Sequence, residues 1–259
     1  MIKTFLISVI TVFIFYSFLI EPNLITVKRI NIESAGIKNV RVVFLSDFHF
    51  SRFANLRIKR IVNKVNKENP DIVLLGGDYA VMHNIRVSMD MNKIADNFSK
   101  IHSKYGVYSV LGNHDYNRES AFIKEKLKEK GINILENNSY KLDINGQKIT
   151  IAGISDMQTT YYSLDKALKN TEPPVILVSH SPDIMPFAKE KTDFIFSGHT
   201  HGGQVRVPFF GAVIVPSKYG KKYESGLIEN KMYVTKGLGT SIFHLRFNCL
   251  PEIVTVDFI

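Results

Sequence analysis

The sequence predicts an α/β protein in which two stacked β-sheets carry helices on their outer faces, preceded by an apolar N-terminal segment. Between residues 40 and 130, short apolar runs alternate with stretches of helical spacing, the pattern of parallel strands joined by crossovers. From residue 140 onward strand-like runs dominate, and the first two flank Asn145-Gly146, a strong hairpin signal. A chain of 259 residues with 45% apolar composition can bury one full core and is short for two large domains.

Residues 5–20 contain no charge, Gly or Pro and follow Lys3. About 16 helical residues span about 24 Å, somewhat short of a hydrocarbon core of about 30 Å. A cleaved signal peptide is the competing reading, but the run ends Phe18-Leu19-Ile20-Glu21-Pro22, with no small-residue cleavage site. We therefore expect an anchor over residues 1–22 and one domain over 23–259. Lys28, Arg29, Lys38 and Arg41 lie beyond the run and Lys3 before it, so the positive-inside rule places the domain in the cytoplasm.

Within the domain, residues 40–46, 72–76 and 107–111 read as buried strands. Between them, Leu56, Ile61, Val62 and Val65 share one helical face, and Met91, Ile94, Ala95, Phe98 and Ile101 share another. Residues 119–130 form a third helix, which Gly131 can end in a left-handed conformation. Strands follow at 140–144, 148–151, 175–179, 194–197, 205–215, 233–235 and 253–258.

Lys and Arg number 33 against 24 Asp and Glu, a net charge of +9 that suits anionic lipid, nucleic acid or anionic substrates as well as a solvated surface. No nucleic-acid module emerges: the basic runs Arg57 to Lys67 and Lys124 to Lys130 lie on helices and do not interleave with aromatics on a strand. Cys249 is the only cysteine, which excludes an intramolecular disulfide, and it lacks the Gly- and Arg-rich loop of a cysteine phosphatase. A phosphate loop of the G-x-x-x-x-G-K-[ST] kind is also missing.

Five short blocks each follow a predicted strand: Asp47-Phe48-His49, Gly77-Asp78, Gly112-Asn113-His114-Asp115, Ser179-His180, and Gly198-His199-Thr200-His201-Gly202-Gly203. Side chains at the carboxyl ends of neighbouring strands converge on one crevice. In extended backbone, Asp47 and His49 would point the same way, as would His199 and His201. Singly, each block reads as well as a turn, a helix cap or a core histidine. Together they hold five of the eight histidines, leaving His83, His102 and His244 without such a setting.

The ordered set D-x-H, G-D, G-N-H-D, His, G-H-T-H resembles the calcineurin-like metallophosphoesterases over residues 40–207. The tail is similar too, at Tyr223-Glu224-Ser225-Gly226, Gly237-Leu238-Gly239 and residues 245–252. With the apolar N-terminus and Glu21-Pro22, the chain resembles a membrane-associated bacterial subgroup, which includes enzymes similar to UDP-2,3-diacylglucosamine pyrophosphatase of lipid A synthesis. Phe48 and Phe50 stand where leucine is common.

The resemblance implies a four-layer α-β-β-α sandwich with a dinuclear metal site at the strand ends, located at the bacterial inner membrane. It assigns Asp47, His49 and His201 to one metal and Asn113, His180 and His199 to the other, with Asp78 bridging. His114 becomes the catalytic residue that stabilises or protonates the leaving oxygen, oriented by Asp115; the competing role is a structural partner of Asp115. Imidazole mixed with oxygen donors suits Mn²⁺ first, with Fe or Zn²⁺ as alternatives, over Mg²⁺ or Ca²⁺. Two divalent ions against two carboxylates and a bridging hydroxide leave a net charge of about +1, fit for a phosphate oxyanion.

Three functions follow as hypotheses. The first is hydrolysis of a lipid-linked phosphodiester or pyrophosphate, with a glycolipid or nucleotide-lipid as substrate. The second is an anchored enzyme acting on a soluble phosphoprotein or nucleotide. The third is a non-catalytic scaffold, which the complete ligand set argues against. Residues 79–90, with Met82, Met89 and two valines, offer an apolar rim beside Asp78 or core packing.

Overall fold

The computed structural model describes residues 2–79 and 88–259. α1 (Ile2–Phe15) continues through a π-helical turn (Tyr16–Ile20) and a 3-10 turn (Glu21–Asn23) into β1 (Thr26–Ile32). There follow β2 (Val40–Leu45), α2 (Asn55–Lys67), β3 (Ile72–Leu75), α3 (Met91–Phe98), β4 (Val107–Ser109), α4 (Asn113–Tyr116), α5 (Ser120–Glu129) and β5 (Asn133–Ile134). The second half comprises β6 (Asn138–Ile144), β7 (Gln147–Gly153), α6 (Leu164–Ala167), β8 (Val175–Ser179), α7 (Met185–Ala188) and β9 (Phe194–Ser197). β10 (Arg206–Val207), β11 (Gly211–Ala212), β12 (Gly226–Ile228), β13 (Met232–Val234) and β14 (Glu252–Phe258) complete it.

Period-two alternation sets the layers. Along β2, Val42 and Phe44 face the second sheet, where they join Ile151, Val178 and Phe196 in the central core. Val43 and Leu45 face the other way, onto Ile58, Ile61, Val62 and Val65 of α2 and onto Ile94 and Phe98 of α3. On the far side, Ala152, Leu177 and Ile195 meet Leu164, Ala167, Met185 and Ala188 from α6 and α7. Three apolar clusters between four layers are the α-β-β-α sandwich expected from the resemblance.

The first sheet runs β1-β14-β2-β3-β4-β5 and the second β12-β13-β9-β8-β7-β6. β2 through β5 are mutually parallel, as are β7, β8, β9 and β13. Each sheet is mixed: β14 is antiparallel to β2, and β6 and β12 are antiparallel to their neighbours. Because the parallel runs of both sheets end on one side, the five motif blocks gather there.

Several elements depart from expectation. Leu56 is exposed, and Ile58 takes its place on the inner face of α2. The strand expected over 205–215 is a short hairpin, β10 with β11. The edge strand β1, with three of its seven residues exposed, carries too little apolar alternation to read from sequence. The expected rim over 79–90 falls largely on residues 80–87, which with His83 lie outside the described residues; Met89 is buried in the first core.

Candidate metal centre

Every motif residue ends up at the same end of the sheets, but the backbone gets there by a different route from the one expected. Asp47, His49, Asp78, His199 and His201 all have positive φ, between 42° and 69°. Non-glycine residues pay about 1–3 kcal/mol each for such backbone. The chain therefore leaves β2, β3 and β9 in left-handed turns, not in extended strand, and these turns aim the side chains inward. Close approach then demands glycine: a Cβ on Gly112 would collide with Asp78 and with Cε1 of His180, and one on Gly198 would collide with Ser46 and Asp47.

Two donor clusters share Asp78. In one, His49 Nε2 lies 3.1 Å from His201 Nε2, and His201 Nε2 lies 3.5 Å from Asp47 Oδ1. In the other, Asn113 Oδ1 is 3.1 Å from His180 Nε2 and 3.1 Å from His199 Nδ1. Asp78 Oδ2 stands between them, 3.5 Å from His49 Nε2 and 3.3 Å from His180 Nε2. Donors at about 2.0–2.2 Å from one cation stand about 3.0–3.5 Å apart. The spacing and the imidazole–carboxylate–amide chemistry thus fit two divalent ions, and the Asp47, His49, Asp78, His180 and His201 donors are all buried.

The protonation pattern suits that use. Burial pushes His49 down to about 3, and it likewise lowers His201 and His199, helped by Arg246 and His180 respectively. These rings are neutral and hold lone pairs ready. Burial also opposes charge on His180, but Asp78 outweighs it and raises that imidazole. Burial would likewise raise Asp78; His180, His49 and His114 outweigh it and hold the carboxyl below its ordinary range. His180 Nδ1 donates to the carbonyl of Gly76 at 2.7 Å, which fixes the ring with Nε2 toward the site.

Around the donors a supporting shell comes from segments far apart in sequence. The Asp115 carboxylate accepts the backbone N–H groups of Asp78, Tyr79 and Gly112 at 2.7, 2.9 and 3.0 Å. It pins the β3 turn to the β4 turn, and burial with Asp78 nearby pushes it up to about 7. Phe48 stacks on Phe50 and Tyr79, so both phenylalanines pack beneath the site. Leu238 N–H donates to the Ser46 carbonyl, and the fully buried Arg246 donates to the carbonyls of Lys236, Gly237, Gly239 and Cys249. That guanidinium holds the 236–239 turn against Asp47.

His114 Nε2 stands 3.9 Å from Asp78 Oδ2, its ring meets His49 edge-on, and its backbone N–H donates to Asp78 Oδ1 at 2.9 Å. Sequence reasoning missed Gln158, whose amide lies 2.9 Å from His199 Nε2 and holds the outer side of that ring. The available signal was positional: Asp156 and Gln158 follow β7, a central strand end to which no block had been assigned. His244, left without a role, borders a small cleft with His49. A larger cavity of about 630 Å³ opens over the donors; Asp78, Asn113 and His199 lie at its floor, and Val213, Ile214, Ile242 and Phe243 are among its walls.

Comparison with known proteins agrees with this geometry. Residues 40–203 match the family described as calcineurin-like phosphoesterase. Over 227 residues the chain is 30% identical to phosphodiesterase YaeI of Escherichia coli (strain K12), covering 85% of this chain and 82% of that protein. Over 254 residues it is 30% identical to the uncharacterized metallophosphoesterase YkuE of Bacillus subtilis (strain 168), covering 92% and 87%. UDP-2,3-diacylglucosamine pyrophosphatase LpxG of Chlamydia muridarum is 25% identical over 298 residues, covering 90% and 89%. The chain belongs to the calcineurin-like phosphoesterases and is a metal-dependent hydrolase of phosphodiesterase type.

Proposed function

We propose that this enzyme hydrolyses a lipid-linked phosphodiester or pyrophosphate at the bacterial inner membrane, with UDP-2,3-diacylglucosamine as the leading specific candidate. The supporting observation is the cavity of about 630 Å³, which joins the donor clusters to an apolar wall. Its size and mixed lining suit a ligand with a phosphate at one end and hydrocarbon at the other. The similarity to LpxG supports the same reading.

In this reading Asp47, His49 and His201 hold one cation, Asn113, His180 and His199 the second, and Asp78 both, with Mn²⁺ preferred. When bound, the two ions supply Lewis-acid activation of water and charge neutralisation at the phosphoryl oxygens. His114, at the cavity floor beside Asp78, donates a proton from its imidazole to the departing oxygen. Asn113 contributes a neutral oxygen, so the floor stays cationic enough to draw in a phosphate. Gln158 keeps the His199 ring from turning.

Residues 3–23 are long and apolar enough to cross a membrane, and we assign them as the anchor of a domain running from about residue 23 that faces the cytoplasm. A substrate panel in detergent tests the reading. Chelator-stripped enzyme should regain activity best with Mn²⁺ and should prefer a glycolipid pyrophosphate over soluble nucleotide diesters and phosphoproteins. Preference for a soluble substrate would overturn the lipid assignment, and protease cleavage of the domain in intact spheroplasts would overturn the orientation.

A further inference from the structure

The anchor helix is tied to the domain along its C-terminal half. The ring of Phe13 packs on Phe247 with centroids 4.7 Å apart, and the Ser17 carbonyl accepts the Arg246 N–H at 3.0 Å. The buried carboxylate of Glu21 accepts the N–H groups of Asn248 and Cys249. These contacts fix how deep the domain sits. The uncharged run is bounded by Lys3 and Glu21, and Phe13 lies about midway. About 17 residues at about 1.5 Å each give about 26 Å, a little less than a core of about 30 Å, so a crossing needs all of the run in a slightly thinned bilayer. An ammonium at Lys3 left in mid-hydrocarbon is costly. With the run fully inserted, Phe13 approaches the midplane and takes Phe247 with it.

The surface around Phe247 matches that depth. Val205 bridges to Phe247, while Gln204 donates to the Phe243 carbonyl at 3.2 Å and accepts from Ser241 N–H at 2.8 Å. These bonds bind the β10–β11 hairpin and the 241–247 segment into one face. On it, Phe209 is fully exposed, and Phe210, Val213, Ile214, Ile242 and Phe243 are 53–77% exposed. Water-soluble surfaces rarely leave such a contiguous apolar group uncovered. Within the hairpin the backbone is paired at several points: β10 ladders with β11, Val213 N–H donates to the Val205 carbonyl, Phe210 N–H donates to the Val207 carbonyl, and the Lys221 ammonium reaches the Phe210 carbonyl at 2.7 Å. Paired backbone is what hydrocarbon requires, and a long lysine stem can carry its charge back toward the headgroups.

We propose that the β10–β11 hairpin and the 241–247 segment enter the leaflet that α1 penetrates from the domain side, so that the cavity over the donor clusters opens into lipid. Val213, Ile214, Ile242 and Phe243 then serve two surfaces, facing the bilayer and walling the cavity. A substrate reaches the metals by lateral passage without leaving the membrane, and its class is a phosphoester bearing an acyl chain. The ligand class and the membrane span of α1 rest on the function proposed above; the embedding adds to that span the helix contacts and the exposed side chains.

The chain contains no tryptophan, so Phe209→Trp or Phe210→Trp introduces a single reporter. Ile259→Trp is the control: β14 runs antiparallel to β2, which places Ile259 at the far end of the sheet from the site. Full-length variants are reconstituted in phosphatidylcholine–phosphatidylglycerol vesicles with and without chain-brominated lipid. Emission from positions 209 and 210 should fall by about twofold or more with bromine, as expected for side chains below the headgroups, while position 259 should not respond. Equal responses at all three positions would overturn the embedding. So would blue-shifted emission insensitive to bromine, the signature of a second copy covering the face. A Phe209→Asp/Phe210→Asp variant should lose about tenfold or more on a vesicle-borne lipid phosphoester while keeping its rate on bis-p-nitrophenyl phosphate. Bromine quenching without hydrolysis of any lipid phosphoester by the parent enzyme would refute the acyl-bearing ligand and leave the embedding standing.

Discussion

Replacing Asp78 by Asn preserves shape and removes one negative charge from between the two donor clusters. Oδ2 stands 3.5 Å from His49 Nε2 and 3.3 Å from His180 Nε2, so the carboxylate faces both clusters almost equally. An amide has one oxygen to offer, and its NH₂ must then face the other cation. The clusters differ in what remains. Asp47, His49 and His201 keep one anionic ligand, whereas Asn113, His180 and His199 keep none. The neutral triad should therefore empty first, taking bound metal from two equivalents to about one. Activity on a chromogenic diester should fall by about 10²-fold or more, because in-line attack needs both ions. Elemental analysis of the dialysed protein gives the stoichiometry, and Asp47→Asn/Asp78→Asn should bring it to about zero. Two equivalents retained by the single variant, with activity near normal, would refute the bridging role and the asymmetry together.

Other outcomes follow from the same geometry. His114→Ala should retain both metals and slow hydrolysis of poor leaving groups by about 10²–10⁴-fold, with a smaller loss for nitrophenolate; equal losses on both substrates would argue against proton donation. Metal uptake by stripped enzyme at pH 6.5 should release protons, measured calorimetrically in buffers of differing ionisation enthalpy. The sign follows from His180, raised by Asp78 and hence protonated in the stripped site, while His49, His199 and His201 are lowered and already neutral. In the stripped protein the lowered His49 should also reduce stability as pH falls from about 6.5 toward 3, because the unfolded chain then binds the proton that the folded ring refuses. A melting temperature flat across that interval would contradict it. Arg246→Met leaves the Lys236, Gly237, Gly239 and Cys249 carbonyls without their buried donor and should cost about 3–5 kcal/mol. Thermal unfolding should show a loss of about 6–10 °C.

The sequence by itself determined the chemistry and most of the layering. Short-range rules were enough where one local signal dominates: Asn145-Gly146 fixed the β6–β7 hairpin, and residues 175–179 and 194–197 read as the strands they are because continuous apolar runs have few other fates. The seven expected ligands and His114 were legible as residue types placed just after strands, and the parallel topology carries every such position to one end. Only the tertiary structure decided what depends on neighbours distant in the chain. The left-handed turns at Asp47, Asp78 and His199 persist because glycines and Asp115 from other segments hold them, and no local propensity announces that backbone. Gln158 gains its role solely by lying beside His199, and Leu56 lost its expected place to Ile58 through the rotation of α2 against the sheet. The apolar face beside Phe247 brings together residues 13, 209 to 214 and 242 to 247. Each is unremarkable in its own stretch of sequence, and they share a surface because hydrogen bonds from the Gln204 side chain and the Arg246 backbone bind the three segments side by side.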